Sequence, residues 1–265
     1  MFKFLILSNH LKGRCDNRKS MQINYDEMGD PTKKTIIFVH GAGGSAATWF
    51  MQLRGLSDDY HVVAIELNGH GGSTDRAEQD IRRSYLEDIH EIVSQFSKPV
   101  LGGHSMGGAL TQLYALTNPD NLSGIILVGT GAKLRVTPIV FDLLENNFEG
   151  YVEAIGNFMF HDDTSTEIID ASRKEVMKCP AEIISRDFKM CDNFDIMESV
   201  SKIKLPTLII VGEGDVMTPI KYATFLHEKI EGSEMHVISS AGHAVMLEQS
   251  SIFNKYVKNW IEKLI

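Results

Sequence analysis

The chain has 265 residues, 43% of them hydrophobic and 23% charged, which is the composition of a globular protein with a sizeable core. No apolar run approaches the ~20 residues that a transmembrane helix needs, so no membrane span is expected. The formal net charge of −9 disfavours nucleic acid as a partner, because phosphate binding needs basic surface. The three cysteines (Cys15, Cys179 and Cys191) are too scattered for a disulfide framework or a metal site, and a reducing cytoplasm is the expected compartment.

Short apolar runs of strand length alternate with longer segments of helical periodicity. Residues 1–25 are expected to form an antiparallel hairpin at one edge of a sheet, and helical patterns occupy residues 78–96 and 106–117. This alternation predicts an α/β fold: a mostly parallel sheet of about eight strands with helices on both faces. Beyond the hairpin, the predicted strands are residues 36–39, 61–67, 99–103, 123–128, 207–212 and 234–238.

The alternation stops after the sixth predicted strand. Residues 132–201 have helical patterns and no convincing strand, and the next strand begins behind Leu205-Pro206. We expect residues 1–131 and 202–265 to form an α/β core and residues 132–201 to form a helical cap inserted into it. Open parallel sheets bind ligands at the carboxyl ends of their strands, where such a cap would lie.

The segment H-G-A-G-G at residues 40–44 directly follows a predicted strand. Its glycines let the backbone approach a ligand closely, as a phosphate loop would also require. No lysine follows, however, and the pattern G-x-G-x-x-G is not matched, which disfavours nucleotide binding. In an acyl-transfer enzyme, the N–H of Ala42 would donate a hydrogen bond to the oxyanion.

The pentapeptide G-H-S-M-G at residues 103–107 lies between an apolar strand and an apolar helix. A sharp strand-to-helix turn forces its central residue, Ser105, into a strained positive-φ conformation with an outward side chain. Ser105 is therefore the candidate nucleophile. The N–H of Met106, at the start of the helix, is the second candidate oxyanion donor.

A serine hydroxyl needs a base within hydrogen-bond reach and a third group to orient that base. His243 follows the last predicted strand, and Asp215 follows the strand before it, so both lie at the same end of the sheet as Ser105. Glu213 competes for the acid role but is expected to turn away. Asp215 could instead cap the helix after Pro219, although Thr218 is better placed to do so.

These motifs, together with E-L-N-G-H-G-G-S at 66–73, G-E-G-D-V-M-T-P at 212–219 and A-G-H-A-V-M-L-E at 241–248, resemble those of the α/β-hydrolase fold superfamily over essentially the whole chain. Within it, the chain resembles the small capped esterase, lactonase and C–C hydrolase group. The resemblance implies a Ser105–Asp215–His243 triad. Glu66 and Asn68 depart from the family pattern in a loop that is mainly structural, and His40, His70 and His104 are expected to stabilise loops.

The sequence thus predicts a cofactor-independent, metal-independent serine hydrolase that cleaves a small-molecule carboxylic ester through an acyl-enzyme. A C–C bond hydrolase, lactonase, thioesterase or acyltransferase of the same fold stays open as an alternative, as does a non-catalytic ligand receptor. The oligomeric state is left open. The candidate substrate-pocket residues are Gly41, His104, Phe158, Met159, Phe160 and Met246.

Overall fold

The computed structural model describes residues 23–264, and its centre is a twisted sheet in the order β1-β3-β2-β4-β5-β6-β7. Strand β1 runs antiparallel to β3, and every other pairing is parallel. The α/β class with a mostly parallel sheet is thereby confirmed. The strands are β1 Tyr25–Met28, β2 Thr35–Val39, β3 His61–Ile65, β4 Val100–His104, β5 Gly124–Val128, β6 Thr207–Gly212 and β7 Glu234–Ile238.

The hairpin predicted for residues 1–25 lies outside the described residues up to residue 22. Its last residue, Tyr25, opens the antiparallel edge strand β1. Because most of the predicted hairpin lies outside the described residues, the described sheet has seven strands instead of about eight. The break in the alternation accordingly follows the fifth described strand, β5, instead of the sixth.

The central strands are buried because helices cover both faces of the sheet. Along β2, Ile37 and Val39 face one apolar layer, whereas Ile36 and Phe38 face the other. Helices α2, α3 and α8 form the first layer, and α1, α9 and α10 form the second. This two-sided burial explains why the strands are apolar at nearly every position. The helices are α1 Phe50–Leu56, α2 Ile81–Val93, α3 Met106–Thr117, α4 Pro138–Asn146, α5 Phe148–Phe158, α6 Thr166–Val176, α7 Ala181–Asp192, α8 Ile220–Lys229, α9 Val245–Glu248 and α10 Ser250–Ile261.

Helix α3 has the predicted bounds, but α2 is shorter than the predicted residues 78–96. It begins after Asp80, whose side chain accepts a hydrogen bond from Arg83 N at 3.1 Å, and it ends at Val93. The capping aspartate, rather than the first residue of the periodic pattern, sets the start of this helix.

Helices α4 to α7 all lie between β5 and β6, in the segment here called the helical insertion (residues 132–201). Its two ends run side by side where it joins the sheet, because Lys133 and Asp195 form an isolated antiparallel bridge and Ile196 N donates to Ala132 O at 2.8 Å. In the part of the chain that the structure describes, no helix is both long and apolar enough to cross a membrane.

Candidate active site

Ser105 occupies the sharp turn between β4 and α3. Its φ of 53° and ψ of −114° lie outside the favoured regions for a non-glycine residue, as predicted from the pentapeptide. The turn is held from both sides, since Ser105 N donates to Val128 O at 2.9 Å and Thr130 Oγ1 donates to Ser105 O at 2.9 Å. Such a conformation costs about 1–3 kcal/mol and persists only when its surroundings enforce it.

The two glycines of the pentapeptide make this turn possible. A Cβ on Gly103 would lie 2.1 Å from Gly107 O, and a Cβ on Gly107 would lie 2.3 Å from Val39 O. Real Cβ atoms do not approach backbone oxygens so closely. The close packing of β4, α3 and β2 therefore requires glycine at both positions.

Asp215 and His243 form a buried hydrogen-bonded pair at the carboxyl ends of β6 and β7. His243 Nδ1 lies 2.9 Å from Asp215 Oδ2, and because a carboxylate only accepts, Nδ1 carries the proton and Nε2 keeps its lone pair. Burial would raise the pKa of Asp215, but His243 and the hydrogen bonds from Thr218 outweigh it, and the pKa lies below its ordinary value. Asp215 is therefore ionised and can stabilise a charged imidazole.

Thr218 contacts both members of the Asp215–His243 pair and does not cap the following helix, contrary to the prediction from the sequence. Its Oγ1 donates to Asp215 Oδ2 at 2.8 Å and lies 3.3 Å from His243 Nδ1, while Pro219 occupies the cap position of α8 without a side-chain bond. No local sequence pattern predicts this contact, because a tight turn brings Thr218 back onto Asp215, whose Oδ1 accepts from Thr218 N at 2.8 Å. Glu213 is exposed, as expected.

Ser105 and His243 lie in the wall of the same pocket. Within residues 23–264, no hydrogen bond joins Ser105 Oγ to His243 Nε2. Catalytic hydrogen bonds are often long in ligand-free structures and tighten when substrate binds, so this geometry is compatible with proton transfer between the two side chains.

The glycine loop (residues 40–44) runs beside Ser105. Gly41 lies so close to Ser105 that a Cβ on Gly41 would be 3.3 Å from Ser105 Cβ. Ala42 follows in the pocket wall, and Met106 is the first residue of α3, where a backbone N–H has no acceptor within the helix. Both candidate donors therefore flank Ser105.

His40 and His104 are buried and neutral. Burial and, to a lesser extent, a neighbouring histidine together lower the pKa of each to about 3. His104 Nε2 donates to His243 O at 3.0 Å, and His40 Nδ1 donates to Gly41 O at 2.8 Å. Both side chains thus hold the backbone of site loops, as expected from the sequence.

The pocket above Ser105 has a volume of about 900 Å³ and is lined mainly by apolar side chains from the helical insertion and the core. Five of the six candidate pocket residues lie in its wall: Gly41, His104, Phe158, Met159 and Met246. The sixth, Phe160, does not. It is buried in a small cluster with Ile155 and Ala244, two residues that themselves line the pocket.

Sequence reasoning missed most of the remaining lining. The apolar periodicity of the insertion marks which side chains are buried, but not which of them face the cavity. Side chains that line the pocket and were not singled out as pocket candidates include Phe50, Ile139, Leu143, Ile155, Ile168, Phe188 and Met217.

Glu248, at the end of α9, joins the helical insertion to the loop that carries His243. Its Oε2 accepts from His161 N at 2.7 Å and from Thr164 Oγ1 at 2.6 Å, and its Oε1 accepts from Gly242 N at 2.9 Å. Among the described residues, no group of three or more His, Cys, Asp or Glu side chains is placed to hold a metal ion.

A mostly parallel sheet with a serine on a strained strand-to-helix turn, and an Asp–His pair at the neighbouring strand ends, defines an α/β hydrolase. The family model described as serine aminopeptidase, S33, matches residues 30–250, and the chain belongs to that family. A solved thermophilic esterase is 30% identical, with a TM-score of 0.83 over 94% of this chain and 96% of its own.

Two curated relatives are similar over most of this chain. The pimeloyl-[acyl-carrier protein] methyl ester esterase of Wigglesworthia glossinidia brevipalpis is 26% identical, over 86% of this chain and 93% of its own length. The monoacylglycerol lipase ABHD6 of Mus musculus is 25% identical, over 89% of this chain and 78% of its own length.

Proposed function

We propose that this chain is a serine hydrolase that cleaves small carboxylic esters through an acyl-enzyme. The observation that carries the proposal is the 2.9 Å pair of His243 and Asp215, with His243 in the wall of the same apolar pocket as Ser105. Ser105, Asp215 and His243 are the proposed triad, and the helical insertion is the proposed cap.

In the first half of the reaction, Ser105 Oγ attacks the ester carbonyl carbon while His243 Nε2 takes the hydroxyl proton. The oxyanion is bound by the N–H groups of Ala42 and Met106. Collapse of the tetrahedral intermediate breaks the bond to the alcohol oxygen, which receives the proton from His243. Water, deprotonated by His243, then attacks the acyl-enzyme, and the acid leaves as the proton returns to Ser105.

Asp215 keeps His243 in the productive tautomer throughout this cycle. Its carboxylate holds the proton on Nδ1, so that Nε2 is available to accept, and its negative charge stabilises the imidazolium that forms. Thr218 fixes the carboxylate in place by donating to the same oxygen.

The pocket favours an ester over a peptide with a free amino terminus. An aminopeptidase pairs the substrate's ammonium group with a carboxylate. Of the described residues that line this pocket, Glu175 supplies the one carboxylate, and its Oε1 is already paired with Lys178 Nζ at 2.5 Å. Apart from the exposed Arg135, the remaining wall is mainly apolar and suits an uncharged acyl group.

Ser105→Ala is the direct test. Hydrolysis of p-nitrophenyl butyrate should fall by at least about 10⁴-fold, because the nucleophile is lost while the protein still folds. A fluorophosphonate probe should label the wild-type protein at Ser105 and leave the variant unlabelled. Ser251→Ala, on the exposed side of α10, is the matched control and should keep both properties. Full activity in Ser105→Ala would disprove the proposal, and an unlabelled wild-type Ser105 would favour a ligand receptor.

The acyl specificity has its own test, a series of p-nitrophenyl esters from acetate to dodecanoate. Each methylene buried in the apolar pocket contributes up to about 0.8 kcal/mol, so kcat/KM should rise by up to about fourfold per methylene until the pocket is filled. A flat or falling series would contradict an apolar acyl subsite. Including lactones and thioesters of equal chain length would show which of these acyl bonds is preferred.

We also propose a cytoplasmic setting, supported by cysteine usage. Cys179 and Cys191 are buried free thiols, and burial raises the pKa of Cys179 to about 12. Such thiols are inert and form no cross-link.

A further inference from the structure

The helical insertion reaches the glycine loop through one buried carboxylate. Asp187, on α7, is fully buried, and its Oδ2 accepts from Gly43 N at 2.9 Å. The same oxygen lies 2.8 Å from His70 Nε2, and Tyr85 Oη donates to Oδ1. Three groups of the core thus converge on a side chain that belongs to the insertion.

His70 and Asp187 form a buried ion pair. Burial would lower the pKa of His70, but Asp187 more than compensates, and the pKa is raised above its ordinary value. Burial likewise opposes the ionised form of Asp187, yet His70 and the hydrogen bonds hold its pKa below its ordinary value. His70 Nδ1 lies 3.2 Å from Asn68 O, so both ring nitrogens face acceptors, as a protonated imidazole requires.

A second connection runs from Asp187 to the other side of Ala42. The ring of His70 packs against that of His40, with centroids 4.6 Å apart, and His40 Nδ1 donates to Gly41 O. Gly41 O and Ala42 N belong to one peptide group, so fixing the carbonyl fixes the direction of the N–H. Ala42 is therefore held at both of its peptide bonds, through Gly41 O and through Gly43 N.

Helix α7 also limits the position of Gly43 by contact. Gly43 has a φ of 66°, and a Cβ on it would lie 2.9 Å from Cγ1 of Ile184, one turn before Asp187. The Ile184 side chain thus fills the space beside Gly43, and the hydrogen bond from Gly43 N to Asp187 ties the glycine loop to the same helix.

We propose that Asp187 is a positioning residue that aligns the Ala42 N–H for the oxyanion, so that the helical insertion completes the catalytic site. The proposal rests on the proposed ester hydrolysis. Its chemical consequence is specific: Asp187 serves the tetrahedral oxyanion, which exists only along the reaction, and not the ground-state ester.

Asp187→Asn tests this directly, because an amide has one acceptor oxygen for the donors that converge on the carboxylate. We expect kcat to fall about 10- to 100-fold with KM changed less than about threefold, since a misaligned oxyanion donor weakens the transition state selectively. The affinity for a trifluoromethyl ketone, which forms a tetrahedral adduct with the serine, should fall by the same factor. Glu182→Gln removes the same charge from the exposed face of α7 and should change none of these values.

Two further variants keep the test decisive if Asp187→Asn folds poorly. His70→Gln removes the ion pair and the ring contact with His40 and should reduce kcat and ketone affinity in the same direction. Val257→Ala, in the buried layer of α10, lowers stability far from the glycine loop and should leave both unchanged. If Asp187→Asn or His70→Gln loses thermal stability but keeps wild-type kcat and ketone affinity, Asp187 is only structural and the inference is wrong. If the wild-type protein itself cleaves no ester and Ser105 is not labelled, the proposed function fails instead.

Discussion

At the scale of single residues, the site depends on which carboxylate faces His243. Asp215 and Glu213 are two residues apart on one loop, yet Asp215 is buried against the imidazole and Glu213 is exposed. The hydrogen bond at 2.9 Å and the lowered pKa of Asp215 both support Asp215, and not Glu213, as the acid of the proposed triad. Asp215 and Glu213 can therefore be compared directly by substitution, because they are two acids on the same loop with different surroundings.

Asp215→Asn should lower kcat by about 10³- to 10⁴-fold with little change in KM, because an amide favours the wrong imidazole tautomer and leaves the imidazolium uncompensated. Steady-state kinetics on p-nitrophenyl butyrate measure this loss. Glu213→Gln makes the same chemical change on the exposed side of the loop and should behave as wild type. Equal losses in the two variants would contradict the assignment of the acid.

Sequence reasoning could identify Ser105, Asp215 and His243 as candidates because each follows a recognisable strand, and strand ends of a parallel sheet meet at one edge. It could not identify Thr218 or Asp187 as partners. Thr218 turns back onto Asp215. Asp187 lies on α7, and which face of that helix is buried depends on how the helical insertion packs on the core. Their contacts are tertiary and leave no local pattern.

At the scale of the secondary-structure elements, the turn from β4 to α3 tolerates no side chain at its flanks. A Cβ on Gly103 would collide with the backbone at the start of α3, whereas a Cβ on Gly232, in a surface turn with a φ of 72°, would meet nothing within 4 Å. Gly103 is therefore required because a side chain has no space there, whereas Gly232 is favoured only because its φ is positive.

Gly103→Ala should destabilise the protein by about 3 kcal/mol and remove most of the activity, because the start of α3 must shift and Ser105 shifts with it. Gly232→Ala should cost about 1 kcal/mol, the penalty of a left-handed alanine, and leave kcat unchanged. Chemical denaturation and ester hydrolysis measured side by side distinguish the two effects. Wild-type stability and activity in Gly103→Ala would contradict the packing described for this turn.

The elements themselves were largely predictable because a strand buried on both faces is apolar along its length. The predicted strands at 207–212 and 234–238 match β6 and β7, and that at 99–103 differs from β4 by one residue at each end. The start of α2 was less predictable, since an exposed first turn carries no hydrophobic signal and only the side chain of Asp80 marks it.

At the scale of the whole molecule, two buried neutral histidines link stability to pH. The pKa of His40 and of His104 is about 3 in the folded chain, against about 6.5 when unfolded. Between these values the unfolded chain binds more protons, so the free energy of unfolding falls as the pH is lowered. Each histidine contributes at most about 1.4 kcal/mol per pH unit in this window.

His104→Gln should therefore reduce the slope of unfolding free energy against pH by up to about 1.4 kcal/mol per unit between about pH 6 and 5. Its amide can still donate to His243 O, so the fold is retained. Urea denaturation at a series of pH values measures the slope. His227→Gln is the matched control, because that ring is exposed on α8. An unchanged slope in His104→Gln would show that His104 is not held neutral.

The carboxylates of Asp187 and Glu248 connect the helical insertion to the core, and this limits how the insertion can be replaced. Glu248 of the core accepts hydrogen bonds from the backbone N–H of His161 and the hydroxyl of Thr164 in the helical insertion, so a segment taken from another hydrolase has to place an N–H and a hydroxyl at the same two points. The helical insertion is consequently tied to the core by its own residues and is not a freely exchangeable module. A chimaera that transfers it has to carry the matching core positions along, or evolve new ones.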